Sequence, residues 1–162
     1  MMNEDQMTTV VVLRLAEGKD LPAVQTLMHP FVLDGTLRPR DLRVGEVIVA
    51  EVGGQLLGCV ALSSWTSDTW ELGSLVSTQR GLGGALVQSA LAHAHAQGIR
   101  RVVCITGVER FFARQGFSLV GTGVPPHRQP DTGCAAIRWK AARCRLCPDA
   151  QNCNQSLMEY TA

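Results

Sequence analysis

The sequence predicts a single mixed α/β (α+β) domain whose central sheet, mostly antiparallel, has about six to seven strands with helices flanking it. Three observations carry this expectation. Apolar, β-branched runs stand on either side of Gly53-Gly54, a hairpin signal because both glycines accept positive φ at no steric cost. After Gly84 the apolar period becomes helical, with Leu82, Leu86 and Ala90 flanked by Val87, Leu91 and Ala94, and Gly98 stands where a helix-closing glycine belongs. The chain has 162 residues, 46% hydrophobic and 18% charged, enough to bury one core and too short for two ordinary domains.

The elements follow in order. Residues 10–15 read as a strand, and Gly18 with Asp20 supplies a turn and an N-cap for an amphipathic helix over 21–28. Residues 29–45 keep no period and set Arg38, Arg40 and Arg43 among prolines and turn residues, as a loop or short helix. Strands over 46–52 and 56–64 make the hairpin, and the turn at Thr66-Ser67-Asp68 leads into a third run over 69–76, completing an antiparallel meander. The long helix over 82–97 is a strand-helix-strand crossover into a buried strand over 101–106. A short helix over 108–115, closed by Gly116, a strand over 117–121, a Pro/Gly-rich loop over 122–133 and a last strand over 134–140 complete the domain. The expected organisation is a flexible 1–9, a folded 10–140 and a cysteine-containing tail over 141–162.

Composition narrows the partners. Fifteen Lys+Arg against fourteen Asp+Glu give +1, too balanced for a chain that wraps nucleic acid or coats an anionic membrane. No stretch approaches the roughly 20 apolar residues of a membrane helix. The first nine residues are polar and acidic, without the basic and apolar regions of a secretory signal, so a cytoplasmic location is expected. Only two of the fifteen basic residues are lysines, and arginine forks suit small anionic ligands, although base composition produces the same bias.

The sharpest motif is Arg80-Gly81-Leu82-Gly83-Gly84-Ala85, between a strand and the long helix. Glycines there clear side chains from the helix entrance, so free amides and the positive end of the helix dipole can receive a pyrophosphate. A bare glycine-rich turn without ligand is the other reading. G-x-G-x-x-G is absent, and Ala85-Leu86 stands where a P-loop needs Lys-Ser/Thr.

Arg80-x-x-Gly83-x-Ala85 resembles the acyl-CoA-binding motif of the GNAT superfamily of N-acetyltransferases, Arg/Gln-x-x-Gly-x-Gly/Ala. Glu71-Leu72-Gly73-Ser74-Leu75-Val76 resembles that family's fourth strand, and Arg110-Phe111-Phe112-Ala113-Arg114-Gln115-Gly116-Phe117 its fourth-helix signature. The matches span residues 10–139. The resemblance implies acetyl-CoA as co-substrate and a sheet splayed between strands four and five, with pantetheine in the gap. It pairs pantetheine with backbone near Leu75 and Val76, sets the pyrophosphate at Arg80, Gly81, Leu82, Gly83, Gly84 and Ala85, and gives Phe111 and Phe112 to core or pantetheine packing.

Within the superfamily the chain resembles the short, stand-alone bacterial N-acetylglutamate synthases. Four segments carry the likeness: Leu37-Arg38-Pro39-Arg40-Asp41-Leu42; Gly58-Cys59-Val60-Ala61-Leu62; Cys104-Ile105-Thr106 ahead of Glu109-Arg110-Phe111-Phe112; and Cys144-x-x-Cys147-Pro148 with Cys153. It implies acetyl transfer to the α-amine of L-glutamate, the first step of arginine biosynthesis. The alternatives are another amine (a polyamine, an antibiotic, a protein N-terminus) or a non-catalytic acyl-CoA sensor.

Amine acylation by a thioester needs a deprotonated amine, a held oxyanion and a proton for the leaving thiolate. Glu71, in an otherwise apolar strand, is the candidate base; the bland reading sets it on a solvent-facing side of that strand. The amide near Val76 is the candidate oxyanion donor. No side-chain acid is assigned, because Phe112 stands where the family often has tyrosine and Tyr160 lies in the tail. A dicarboxylic acceptor wants arginine forks, and Arg38 and Arg40, with His127 and Arg128 as a second group, are the candidates; solvated loop residues are the alternative. His29, His93 and His95 read as surface residues.

Cys144-x-x-Cys147-x5-Cys153 leaves three readings open: a metal or cluster completed by Cys134, His127 or another chain, a disulfide or redox role, or free thiols. Acetyl transfer itself needs no metal, and none is assigned. Cys59 and Cys104 read as buried apolar thiols. The expected partner is a small-molecule amine, with a homodimer allowed.

Overall fold

An antiparallel meander opens the sheet: β1 (Val12–Leu15), β2 (Val47–Val52), β3 (Gln55–Ser64) and β4 (Thr69–Ser77) pair each with the next. The computed structural model describes residues 10–37, 41–64, 67–121 and 155–162. Gly53 (φ 55°) and Gly54 (φ 85°) turn the β2–β3 hairpin, both in the left-handed region that a two-residue turn of matching twist demands. Helix α1 (Leu21–Leu33) joins β1 to β2, and helix α2 (Leu82–Ala96) carries the chain from β4 to β5 (Arg101–Thr106), which lies parallel to β4. Helix α3 (Glu109–Arg114), β6 (Ser118–Gly121) and β7 (Ser156–Thr161) complete seven strands in the order β1-β2-β3-β4-β5-β7-β6.

Because successive strand residues point to opposite faces, the sheet buries two layers. Ile48, Val60, Leu62, Leu72 and Val102 meet Leu86, Ala90 and Ala94 of α2. Val47, Val49, Cys59 and Ala61 meet Val24 and Met28 of α1. Among the described residues no helix is long and apolar enough to cross a membrane.

Two expectations change. Helix α1 runs beyond residue 28 to Leu33, through Pro30, because a proline so near the helix end removes one ladder bond while the Asp34 amide still closes on the Pro30 carbonyl at 3.1 Å. The strand expected over 134–140 lies outside the described residues, and the seventh strand is Ser156–Thr161, inside the segment read as a tail. Flanked by β5 and β6, it buries Ser156, Leu157 and Met158 in succession, so it carries no alternating pattern to betray it. Tyr160 is therefore a sheet residue, its ring centroid 5.8 Å from that of Phe117.

Candidate active site

Strands β4 and β5 pair only where Thr69, Trp70 and Glu71 meet Arg101, Val102 and Val103. Among the described residues, no strand pairs with the rest of β4, from Leu72 to Ser77, on that side. A bulge in the β3–β4 ladder accompanies the parting. Cys59 pairs with Val76 and Ala61 with Gly73, so Val60 alone opposes Ser74 and Leu75. Ser74 takes up the extra residue at φ 51°, a left-handed conformation uncommon outside glycine, and its carbonyl accepts from the Cys59 thiol at 3.7 Å. Beyond the bulge the Thr78 amide donates to Leu57 at 3.0 Å and the Val76 carbonyl faces Gly58. Backbone groups alternate between the two edges of a strand, so Val76 is committed to β3 while Leu75 and Ser77 present theirs to the parted edge. Near Val76, the amides that face the parted edge are thus those of Leu75 and Ser77, while the Val76 amide itself faces β3.

The parted edge leads to the head of α2. Gly81 is its N-cap at φ 83°, ψ −18°, and no side chain caps the helix. Leu82 donates to the Gln79 carbonyl at 3.3 Å and Ala85 to Gly81 at 3.4 Å, which leaves the Gly83 and Gly84 amides without an intrahelical partner. Arg80 and Ala85 are exposed beside them, and Leu82 points into the core. Helix α3 closes over this turn: a Cβ on Gly83 would lie 3.5 Å from Phe111 Cζ, and one on Gly84 would lie 3.1 Å from Gln115 Nε2. Gln88 Nε2 donates to the Gln115 carbonyl at 3.2 Å and to its Oε1 at 3.0 Å. Phe112 is sealed in the core, edge-on to Phe111 and Phe117 at 5.0 and 5.3 Å, so its neighbour Phe111 reaches the glycine turn.

Glu71 sits where β4 and β5 are still joined, opposite Ser63 on one side and Val103 on the other. It is only 8% exposed, which excludes the solvent-facing reading. Burial first, and the Glu71 charge second, push the Cys104 thiol up to about 12. Burial likewise lifts Cys59 to about 11, with a backbone hydrogen bond from Val76 opposing it. Both thiols are buried and free, as expected.

Sequence reasoning missed a cleft of about 1010 Å³ on the α1 side, lined by Leu27, Pro30 and Phe31, by Leu56, and by Val76 and Thr78 at the end of β4. Its far wall holds Arg14, which grips Asp20 through Nη1 at 2.7 Å and Nη2 at 3.1 Å and Glu51 through Nε at 2.8 Å. Arg14 holds the Asp20 carboxyl down at about 2, helped by the Glu17 amide. No local pattern marks this cluster, since Arg14 and Glu51 lie 37 residues apart. The acceptor candidates Arg38, Arg40, His127 and Arg128, and the cysteines Cys134, Cys144, Cys147 and Cys153, lie outside the described residues.

Residues 19–117 match the model of the Acetyltransferase (GNAT) family. An amino-acid acetyltransferase of Mycobacterium tuberculosis is 33% identical over 125 residues, 70% of this chain and 72% of that protein. A Mycobacterium tuberculosis structure in complex with CoA and a second ligand is similar at TM-score 0.73 and 28% identity, covering 93% of this chain and 99% of that one. N-acetylglutamate synthase of Neisseria gonorrhoeae, solved with coenzyme A and N-acetyl-glutamate, shares the fold at TM-score 0.70 and 23% identity, over 94% of this chain. This chain spans 35% of the length of that synthase.

Proposed function

The chain belongs to the GNAT acetyltransferase family, and we propose that it transfers the acetyl group of acetyl-CoA to the α-amine of an amino acid, L-glutamate. The observation that carries this reading is the order of three features along the chain: the buried Glu71, the edge of β4 from Leu72 to Ser77 that no described strand pairs, and the Gly83 and Gly84 amides, without an intrahelical partner, at the head of the helix that follows. A carboxyl group at one end of such an edge and anion-receiving amides beyond the other suit a long co-substrate with a reactive tip and a pyrophosphate. The amino-acid acetyltransferase relative supports the class of acceptor.

Acetyl-CoA supplies an acyl group already activated as a thioester. The amides at the head of α2 receive its pyrophosphate, with the positive end of the helix dipole behind them and exposed Arg80 beside them. The Leu75 and Ser77 backbone pairs with pantetheine in the manner of an added strand, and Phe111 walls the turn. Glu71 takes the proton of the acceptor's ammonium group, directly or through a water, so that the nitrogen lone pair can attack the thioester carbon. An edge amide of β4 holds the oxyanion. As the C–S bond breaks, the nitrogen gives up its second proton to water and water returns one to the thiolate; no side-chain acid is assigned, and Tyr160 stands with its ring tilted against that of Phe117 in the sheet. Arg38 and Arg40, with His127 and Arg128, hold the two carboxylates of the acceptor.

Mass analysis of the product tests this assignment. Incubation with acetyl-CoA and glutamate is expected to yield N-acetylglutamate and free CoA thiol in equal amounts, and glutamate blocked at its α-nitrogen should yield neither. Acetylation of spermidine or a peptide N-terminus, with none of glutamate, would replace the acceptor.

A further inference from the structure

Helix α3 has six residues, too few to hold itself, and starts at Val108 (φ −115°, ψ 61°) without a side-chain cap. Two hydroxyls from the sheet stand at that start instead. Thr106 Oγ1 accepts from the Val108 amide at 3.0 Å, and Ser156 Oγ donates to the Glu109 carboxylate. Thr106 and Ser156 face each other across β5 and β7, and Ser156 is 0% exposed. A hydroxyl so buried must find its partner within the protein, and this one finds the first residue of α3. At the other end Gln115 is held by Gln88 of α2. Phe111, between the two anchors, meets Gly83, and Gln115 itself meets Gly84.

We propose that Ser156 and Glu109 form a latch that positions α3 over the glycine turn, so that the last strand of the chain sets the width of the coenzyme A pyrophosphate site. Both are positioning residues; neither touches the co-substrate. The proposal rests on the reading of that turn as the coenzyme A site. Without the latch the helix pivots on its Gln115 end, and Phe111 moves off Gly83. The charge on Glu109 strengthens the hydrogen bond from Ser156, while a glutamine there would still accept it, less strongly.

The test uses the full chain, wild type, Ser156→Ala and Glu109→Gln, with two readouts. Amide hydrogen exchange without ligand reports the latch alone: Ser156→Ala should speed exchange at Phe111, Phe112 and Gln115, leaving Leu86 to Leu91 of α2 unchanged. Titration with coenzyme A, well below the melting temperature, should show Kd raised about tenfold in Ser156→Ala and less in Glu109→Gln. A merely structural role would lower the melting temperature of both variants and leave Kd alone. Unchanged exchange in α3, or unchanged Kd in a variant whose parent binds coenzyme A, overturns the latch. Failure of the wild-type chain to bind coenzyme A while α3 exchange still responds would instead overturn the site reading, and with it the link between latch and site.

Discussion

A Cβ on Gly58 would lie 2.6 Å from the carbonyl oxygen of Val76 and 2.9 Å from Leu86 Cδ1, so β3, β4 and α2 meet where a side chain is missing. The Val76 oxygen is backbone and cannot rotate aside. Gly58→Ala must therefore push β4 or α2 outward, just below the parted edge. We expect a loss of about 1–3 kcal/mol in stability, the usual cost of overpacking, together with weaker coenzyme A binding. Thermal unfolding and a coenzyme A titration check the pair; a variant matching wild type in both would mean that the contact relaxes at no cost.

Gly83 and Gly81 are glycines for different reasons. At Gly83 an added Cβ sits in ordinary contact with Phe111 and Ser77, so Gly83→Ala should fold normally, whereas the branches of Gly83→Val should crowd the amides and weaken coenzyme A binding about tenfold. Gly81 has open space but φ 83°, so Gly81→Ala should cost about 1 kcal/mol of strain. Equal coenzyme A affinity in wild type and Gly83→Val would remove the turn from the binding site.

Glu71→Gln keeps the shape of the side chain and removes the base. Turnover should fall by about 10²-fold, with acetyl-CoA affinity retained. A variant that keeps the acidic limb of the pH-rate profile would point to another group.

The Arg14–Asp20 pair gives the fold an acid limit. Asp20 titrates at about 2 in the native chain and near its ordinary 3.8 once unfolded. A carboxyl with a lowered native pKa stabilises the fold above its unfolded value, and that contribution drains away as pH falls from about 4 through 2. The urea midpoint of wild type should drop across this window, and that of Arg14→Leu, lower to begin with, should drop less. Parallel curves would show that other carboxylates set the limit.

Much of the fold that carries the candidate site is legible in the sequence, and what is not has identifiable causes. The hairpin at Gly53-Gly54, the helix closed by Gly98 and the glycine turn at the head of α2 are local signals, each fixed by neighbouring residues. The bulge at Ser74 is not local: it exists because Val60 faces two residues of another strand, and a serine at positive φ has no sequence mark. The same holds for β7, whose partners β5 and β6 precede it in the chain, and for the Arg14–Asp20–Glu51 cluster. The helix signature gives Phe111 and Phe112 alike to core or pantetheine packing, and only the fold divides them, Phe112 turned into the core and Phe111 against Gly83.

The central claim, acetyl transfer to the α-amine of glutamate, is tested most directly by measuring thiol release from acetyl-CoA with glutamate, aspartate, spermidine and a short peptide as separate acceptors. The account predicts saturable release with glutamate, weaker release with aspartate, and background rates with spermidine and peptide. Tight acetyl-CoA binding with no acceptor-dependent release, or release driven by spermidine or peptide rather than by glutamate, would contradict it.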